Sequence, residues 1–129
     1  NSSQKFKKYK IPALISKHSH ISDSVKIGRG TFIGHGVIIN PQTDLDEFVI
    51  VNCRSTIGHD VNISSNTIIS GHVFIGGSSK IGQNCLIGPG ANLMQSSEIG
   101  NNVVISIGSN IARRISDGKT TLPRLAKNI

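Results

Sequence analysis

Apolar residues return every six positions along most of this chain. The series starts at Ile15, Ile21, Ile27, Ile33 and Ile39. It passes through Leu45, Val51 and Ile57, and it ends at Ile105 and Ile111; all seventeen positions hold Ile, Leu or Val. Four residues after each stands a second residue type, as in Thr31, Val37, Thr43, Val49 and Ser55. Sixteen of these seventeen are small or β-branched with at most three side-chain heavy atoms, and the larger Ile115 closes the set. Period six matches neither the 3.6 of an α-helix nor the 3.5 of a coiled coil. It fits short strands that turn a corner after every hexad. Side chains alternate across a strand, so the aliphatic and the smaller residue four positions on both point inward. The residues between them face water or form corners, where Gly and Asn adopt positive φ at little cost. Gly often follows the aliphatic, at Gly28, Gly34, Gly58, Gly76, Gly82, Gly88 and Gly100. The predicted fold is all-β, a solenoid whose stacked turns lie about 4.8 Å apart and line up into aliphatic ladders. Period alone fixes neither the number of hexads per coil nor its hand, and the general crossover preference is right-handed.

Composition agrees with such a core. The 129 residues include no Trp, one Tyr and four Phe, so the interior is aliphatic. The length suits one domain. No apolar run approaches the roughly 18 residues of a membrane span, and no signal-peptide core is visible, which points to a cytoplasmic setting. Cys53 and Cys85 make no disulfide framework. Cys85 falls in an inward slot, whereas Cys53 falls in an outward one without an obvious base beside it. No His/Cys cluster shows metal-ligand spacing, so no metal is expected.

The net charge of +7 gathers at the two ends, in "KFKKYK" from Lys5 and in "ARRISDGKTTLPRLAK" from Ala112. Such runs are either solvated ends or attractors of phosphate-bearing small molecules. Nucleic acid fits less well, because the aromatic interleaving of a stacking platform is missing. The chain divides into a basic lead-in (1–14), the repeat domain (15–115) and a C-terminal tail (116–129).

One corner departs from the pattern. "STIGHDVNIS" puts His59 and Asp60 where neighbouring hexads mostly hold Gly, Ser, Asn or Arg. His59 occupies the third slot of its hexad, outside the core, and eighteen residues on the same slot holds Gly77. If three hexads make a coil, Gly77 stacks on His59. A neutral imidazole beside an exposed backbone N–H can serve acyl transfer. The histidine takes the acceptor's proton, and the N–H holds the oxyanion. Asp60 would orient and support the imidazole. Histidine alone is weak evidence, since His18, His20, His35 and His72 are present as well and surface corners often carry one.

The repeat resembles that of the hexapeptide-repeat acyltransferases over Ile15 to Ile115. The resemblance implies a left-handed parallel β-helix of triangular section, three hexads per coil and about six coils. "VNCRSTIGHDVNI" resembles the Ile-Asn-Thr…Ile-x-His-Asp/Glu-Cys-x-Ile stretch of sugar acetyltransferases that modify sialic acid or nucleotide-linked amino sugars. "IGGSSKIGQNCLIG" resembles that family's Ala-Gly-Asn-Val-x-Ile-Gly-x-Asn-Cys-x-Ile-Gly run. Carried over by position, the likeness makes His59 the general base, Asp60 its support and Gly77 the oxyanion and thioester contact. It sets Asn52 near the acceptor and aligns Pro89 and Ile107 with backbone contacts to acetyl-CoA. Ile68 stands where many members have a second histidine near the coenzyme, so that contact must differ here. "TTLPRLAK" only echoes the family's C-terminal Gly-x-Pro-Ala-Lys.

The implied activity is transfer of an acetyl group from acetyl-CoA to an amine or hydroxyl of a sugar, nucleotide-linked by the family's habit. It would run in a homotrimer with inter-subunit active sites. "KIPALISKHSHIS" resembles the start of that family's repeat domain, which follows a nucleotide-sugar-binding lobe, and the lead-in 1–14 is then read as the junction to such a lobe. The same stretches also resemble the UDP-3-O-acylglucosamine N-acyltransferases of lipid A synthesis, which would mean a longer acyl chain. A non-catalytic assembly module is the third reading.

Overall fold

The computed structural model describes residues 10–128, so the lysines at 5, 7 and 8 lie outside the described residues. Eighteen strands of two residues each run from Leu14–Ile15 to Arg114–Ile115, one every six residues as far as Asn110–Ile111 and the last after only four. They assemble into three parallel sheets of six strands, with every third strand a neighbour. Ile68 pairs with Ile50 below and Leu86 above, so one coil is eighteen residues. This is a left-handed parallel β-helix of six coils.

The hexad's inward slots fill the core. Ile33, Val51, Ile57, Ile69, Ile75, Ile87 and Ile105 have no measurable exposure, and Val37, Val49 and Val61 pack between their ladders. Full burial of each large aliphatic contributes about 1.5–3 kcal/mol, and identical stacking repeats that gain coil after coil. Thr31, Thr43, Ser55, Thr67, Ser79 and Ser97 are buried in the smaller slot, and each has hydrogen-bond partners. Thr43 Oγ1 donates to the Gly58 carbonyl at 2.7 Å and accepts the Val61 N–H at 3.2 Å. Ser55 repeats the pattern with Ser70 and Val73, and Thr67 with Gly82 and Cys85. The slot therefore does more than fill space, because its hydroxyls tie successive corners together. Cys85 is buried there, and its thiol reaches the Gly100 carbonyl at 3.0 Å.

The second residue of most corners has positive φ, and non-glycine residues hold it at Arg54, Asp60, His72 and Ser78 among others. Asn and Asp tolerate this region better than most side chains.

The outward residues give the three faces different characters. Sheet A presents Leu14, Phe32, Ile50, Ile68, Leu86 and Val104, an unbroken apolar ladder. Sheet B presents His20, Ile38, Thr56, Phe74, Asn92 and Asn110. Sheet C is polar or charged throughout, from Lys26 and Asp44 to Glu98 and Arg114. At the C-terminal end Thr120 bridges to Val104, and the Thr121 hydroxyl lies among Ser106 and Ser109 at 2.9 and 3.1 Å. The chain after the last strand thus closes part of the open end. No helix of the described residues is long and apolar enough to cross a membrane.

Candidate active site

His59 and Asp60 form the corner between sheet B strand Thr56–Ile57 and sheet C strand Asn62–Ile63. Local bonds fix this corner from both sides. The Asp60 N–H donates to the Pro41 carbonyl one coil below at 3.0 Å, and the His59 carbonyl accepts the Ser78 N–H from above at 2.8 Å. Thr43 holds the residues on either side of the turn, Gly58 and Val61.

The imidazole is paired and aimed. His59 Nδ1 lies 2.8 Å from Asp60 Oδ2. Against an ionised carboxylate, which only accepts, the neutral ring carries its hydrogen on Nδ1 and presents the lone pair at Nε2. Both side chains are more than half exposed, and the pair is open to a ligand. Among the described residues His59 alone of the histidines pairs with a carboxylate. His18 and His35 instead face each other, with ring centroids 4.6 Å apart.

Gly77 sits directly over the ring. A Cβ there would lie 2.7 Å from His59 Nε2 and 2.9 Å from Cε1, closer than such contacts occur. The missing side chain is what lets the imidazole rest under this backbone. Gly58 does the same one coil lower, where a Cβ would come within 2.6 Å of the Gly77 nitrogen. The Gly77 carbonyl accepts the Ser96 N–H, while its own N–H has no backbone acceptor among the described residues. The corner therefore offers a lone pair and a backbone donor side by side. Those are the two parts that a carbonyl under nucleophilic attack requires.

The remaining expected residues lie elsewhere on the prism. Pro89 and Ile107 are first residues of the corners between sheets A and B, and Asn52 directly precedes such a corner. They border sheet B on the edge opposite His59 and Gly77. Ile68 belongs to the apolar ladder of sheet A. Within one chain, then, the structure joins His59, Asp60 and Gly77 and keeps Asn52, Pro89, Ile107 and Ile68 apart from them. Sequence reasoning missed Thr43 and Gly58, which shape the corner without being part of it. Their only signal was position, sixteen residues before His59 and immediately before it.

Residues 78–113 match the family model described as bacterial transferase hexapeptide (six repeats). No curated protein sequence matches the chain. Among solved structures, the acetyltransferase domain of PglB from Neisseria gonorrhoeae is 29% identical, with a TM-score of 0.89 over 92% of this chain and 58% of that one. The same domain has been solved in complex with acetyl coenzyme A. A variant of perosamine N-acetyltransferase from Caulobacter crescentus, in complex with CoA and GDP-perosamine, is 20% identical with a TM-score of 0.89. It is matched over 99% of this chain and 63% of that one. The UDP-N-acetylglucosamine acyltransferase of Francisella novicida is 16% identical with a TM-score of 0.56, over 84% of this chain and 60% of that one. The chain thus spans about three fifths of the length of these proteins. In its six-residue repeat, its coil and the matched segment the chain is similar to bacterial hexapeptide-repeat transferases.

Proposed function

We propose that this domain transfers an acetyl group from acetyl-CoA to an amino or hydroxyl group of a nucleotide-linked sugar, in the cytoplasm. The observation that carries this reading is the His59–Asp60 pair with its free Nε2 seated under the Gly77 backbone. The likeness to an acetyltransferase domain solved with acetyl coenzyme A supports the donor. The relative solved with GDP-perosamine suggests the acceptor class.

The acceptor's lone pair attacks the thioester carbonyl carbon. His59 Nε2 takes the acceptor's proton, and the Gly77 N–H receives the negative charge that builds on the carbonyl oxygen. Asp60 holds the ring through Nδ1–H and balances the positive charge formed on it. Collapse of the tetrahedral intermediate breaks the carbon–sulfur bond. The departing CoA thiolate then recovers the proton from the imidazolium.

The reading includes a homotrimer. His59 and Gly77 occupy one edge of the prism, while Asn52, Pro89 and Ile107 follow another. A second copy brings such edges together in one cleft. The apolar ladder of sheet A, with Phe32, Ile68, Leu86 and Val104 each 37–40% exposed, supports burial against that copy.

The test is release of CoA thiol from acetyl-CoA in the presence of nucleotide-linked amino sugars, with His59→Ala as the comparison. Loss of general-base catalysis lowers turnover about 10²–10⁴-fold. The melting temperature stays unchanged, because the side chain is exposed. Near-normal turnover in the variant would remove His59 from the mechanism.

A further inference from the structure

Resting on the acetyltransferase reading, we propose that Arg54, His72 and the backbone of Gly71 form an anion site that holds the diphosphate of the nucleotide-linked acceptor. These residues stand on the corners between sheets A and B, the edge that the reading brings against the His59 edge of a second copy.

Charge is divided around the prism. All seven Asp and Glu, from Asp23 to Asp117, lie on sheet C or on the two rows of corners that flank it. The corners between sheets A and B hold none of them. They carry Lys17, His18, His35, Arg54 and His72 instead, all exposed and all in the lowest four coils. In the upper two coils the same edge is neutral, at Pro89 and Ile107. An edge that gathers bases without acids attracts anions.

The middle of this edge is shaped as well as charged. Arg54 and His72 hold the second corner position at φ of 58° and 56°, where Gly36, Gly90 and Gly108 hold it elsewhere on the edge. Positive φ disfavours side chains of this kind, so the turn itself gives no reason for Arg and His in these two places. Gly36 makes room for the arginine. A Cβ there would lie 3.2 Å from Arg54 Cγ, and the stem rests across it. Among the described residues Arg54 has no ion-pair partner. Gly71 is the converse case. Its φ is negative, and an added Cβ would make only an ordinary contact, 3.4 Å from the Cys53 carbonyl. Neither conformation nor packing calls for glycine, and its absent side chain leaves backbone bare beside His72 and one coil above Cys53. The Gly71 N–H donates to no backbone carbonyl among the described residues.

A diphosphate presents two anionic groups joined through one oxygen. The Arg54 guanidinium suits one of them, which it grips with paired N–H groups. One coil above, about 4.8 Å away, the Gly71 N–H and a ring N–H of His72 serve the other. Height links this site to the chemistry. Arg54 precedes His59 by five residues, and His72 precedes Gly77 by five. Each pair therefore differs in height by roughly 1.3 Å, at about 4.8 Å for a coil of eighteen residues. Rotation about a threefold axis parallel to the coil preserves height. The anion site of one copy then arrives level with the base and the oxyanion donor of the next, and the sugar bridges the two.

The test is calorimetric titration of inorganic pyrophosphate into the chain and into Arg54→Gln, His72→Asn and Lys80→Gln. Lys80 lies on sheet C, so its replacement removes the same charge away from the site. All three side chains are exposed, and melting curves check that the fold is retained. Arg54→Gln is expected to weaken pyrophosphate about tenfold, the cost of one charge-assisted hydrogen bond. His72→Asn weakens it by a smaller factor, and Lys80→Gln leaves it unchanged. In transfer assays Arg54→Gln raises KM for the nucleotide-linked sugar about tenfold and leaves KM for acetyl-CoA as it was. Equal affinities in the parent chain and Arg54→Gln, an equal loss in Arg54→Gln and Lys80→Gln, or no binding by the parent would overturn the anion site while leaving the acetyltransferase reading in place. Pyrophosphate binding lost only at Arg54 and His72, in a folded chain that acetylates no nucleotide-linked sugar, would keep the anion site. It would overturn that reading, and with it the assignment of the site to an acceptor.

Discussion

A single absent side chain decides the geometry of the candidate site. Gly77 has ordinary negative-φ backbone, so nothing in its conformation calls for glycine. What calls for it is the imidazole, 2.7 Å from where a Cβ would be. Gly77→Ala is therefore expected to fold normally, with the exposed ring of His59 giving way. Displacement of the base by about an ångström costs roughly 10²-fold in turnover. Steady-state kinetics beside a melting curve checks this, and full activity in the variant would mean that the ring does not work from this position. His59 and its acid stood out in the sequence because they break a repeat. Their relation to Gly77 became legible only with the coil length, since eighteen residues of separation means contact only if three hexads close a turn.

At the level of the strand and corner, the hexad is a physical instruction with two inward slots. The aliphatic slot was readable without a structure because apolar side chains must leave water, and its series runs unbroken from Ile15 to Ile111. The smaller slot was legible as small but not as hydrogen-bonding. Thr, Ser and Val alternate there, and composition does not reveal that a hydroxyl spans two corners. Thr43 shows the difference, since it ties Gly58 to Val61 around the His59 turn. Thr43→Val keeps the volume and strands one partly buried carbonyl and one buried N–H. A loss of about 1–3 kcal/mol follows. Chemical denaturation measures it, and an unchanged midpoint would mean that water or a shift of the turn replaces the hydroxyl. The corners also separate residues that a linear alignment sets in one list. Pro89 and Gly77 are twelve residues apart, two thirds of a coil, so they fall on different edges.

Across the whole molecule the three faces divide the labour: apolar on sheet A, mixed on sheet B and charged on sheet C. This was latent in the sequence, because the residue before each aliphatic changes type with period eighteen, but it becomes visible only when every third hexad is read together. Ile68 lies mid-ladder on sheet A and is 37% exposed. Ile68→Lys puts a charge in the middle of the face proposed to meet a second copy. It is expected to shift the sedimentation coefficient from trimer to monomer while preserving the β-sheet spectrum. A variant that sediments as the parent does would assign the contact to another face.

The way the coils stack has one more consequence. Each coil touches only the coil above and the coil below, so the molecule behaves as a one-dimensional array that opens from its ends. His59 lies in the third of six coils and Gly77 in the fourth, with two full coils between them and either terminus. Fraying that begins at Leu14 or Ile115 must undo those coils in turn before it disturbs the pair. Amide exchange should accordingly be slowest at the site's own strands and quicken toward both ends, a rod that keeps its working parts at the centre of its span.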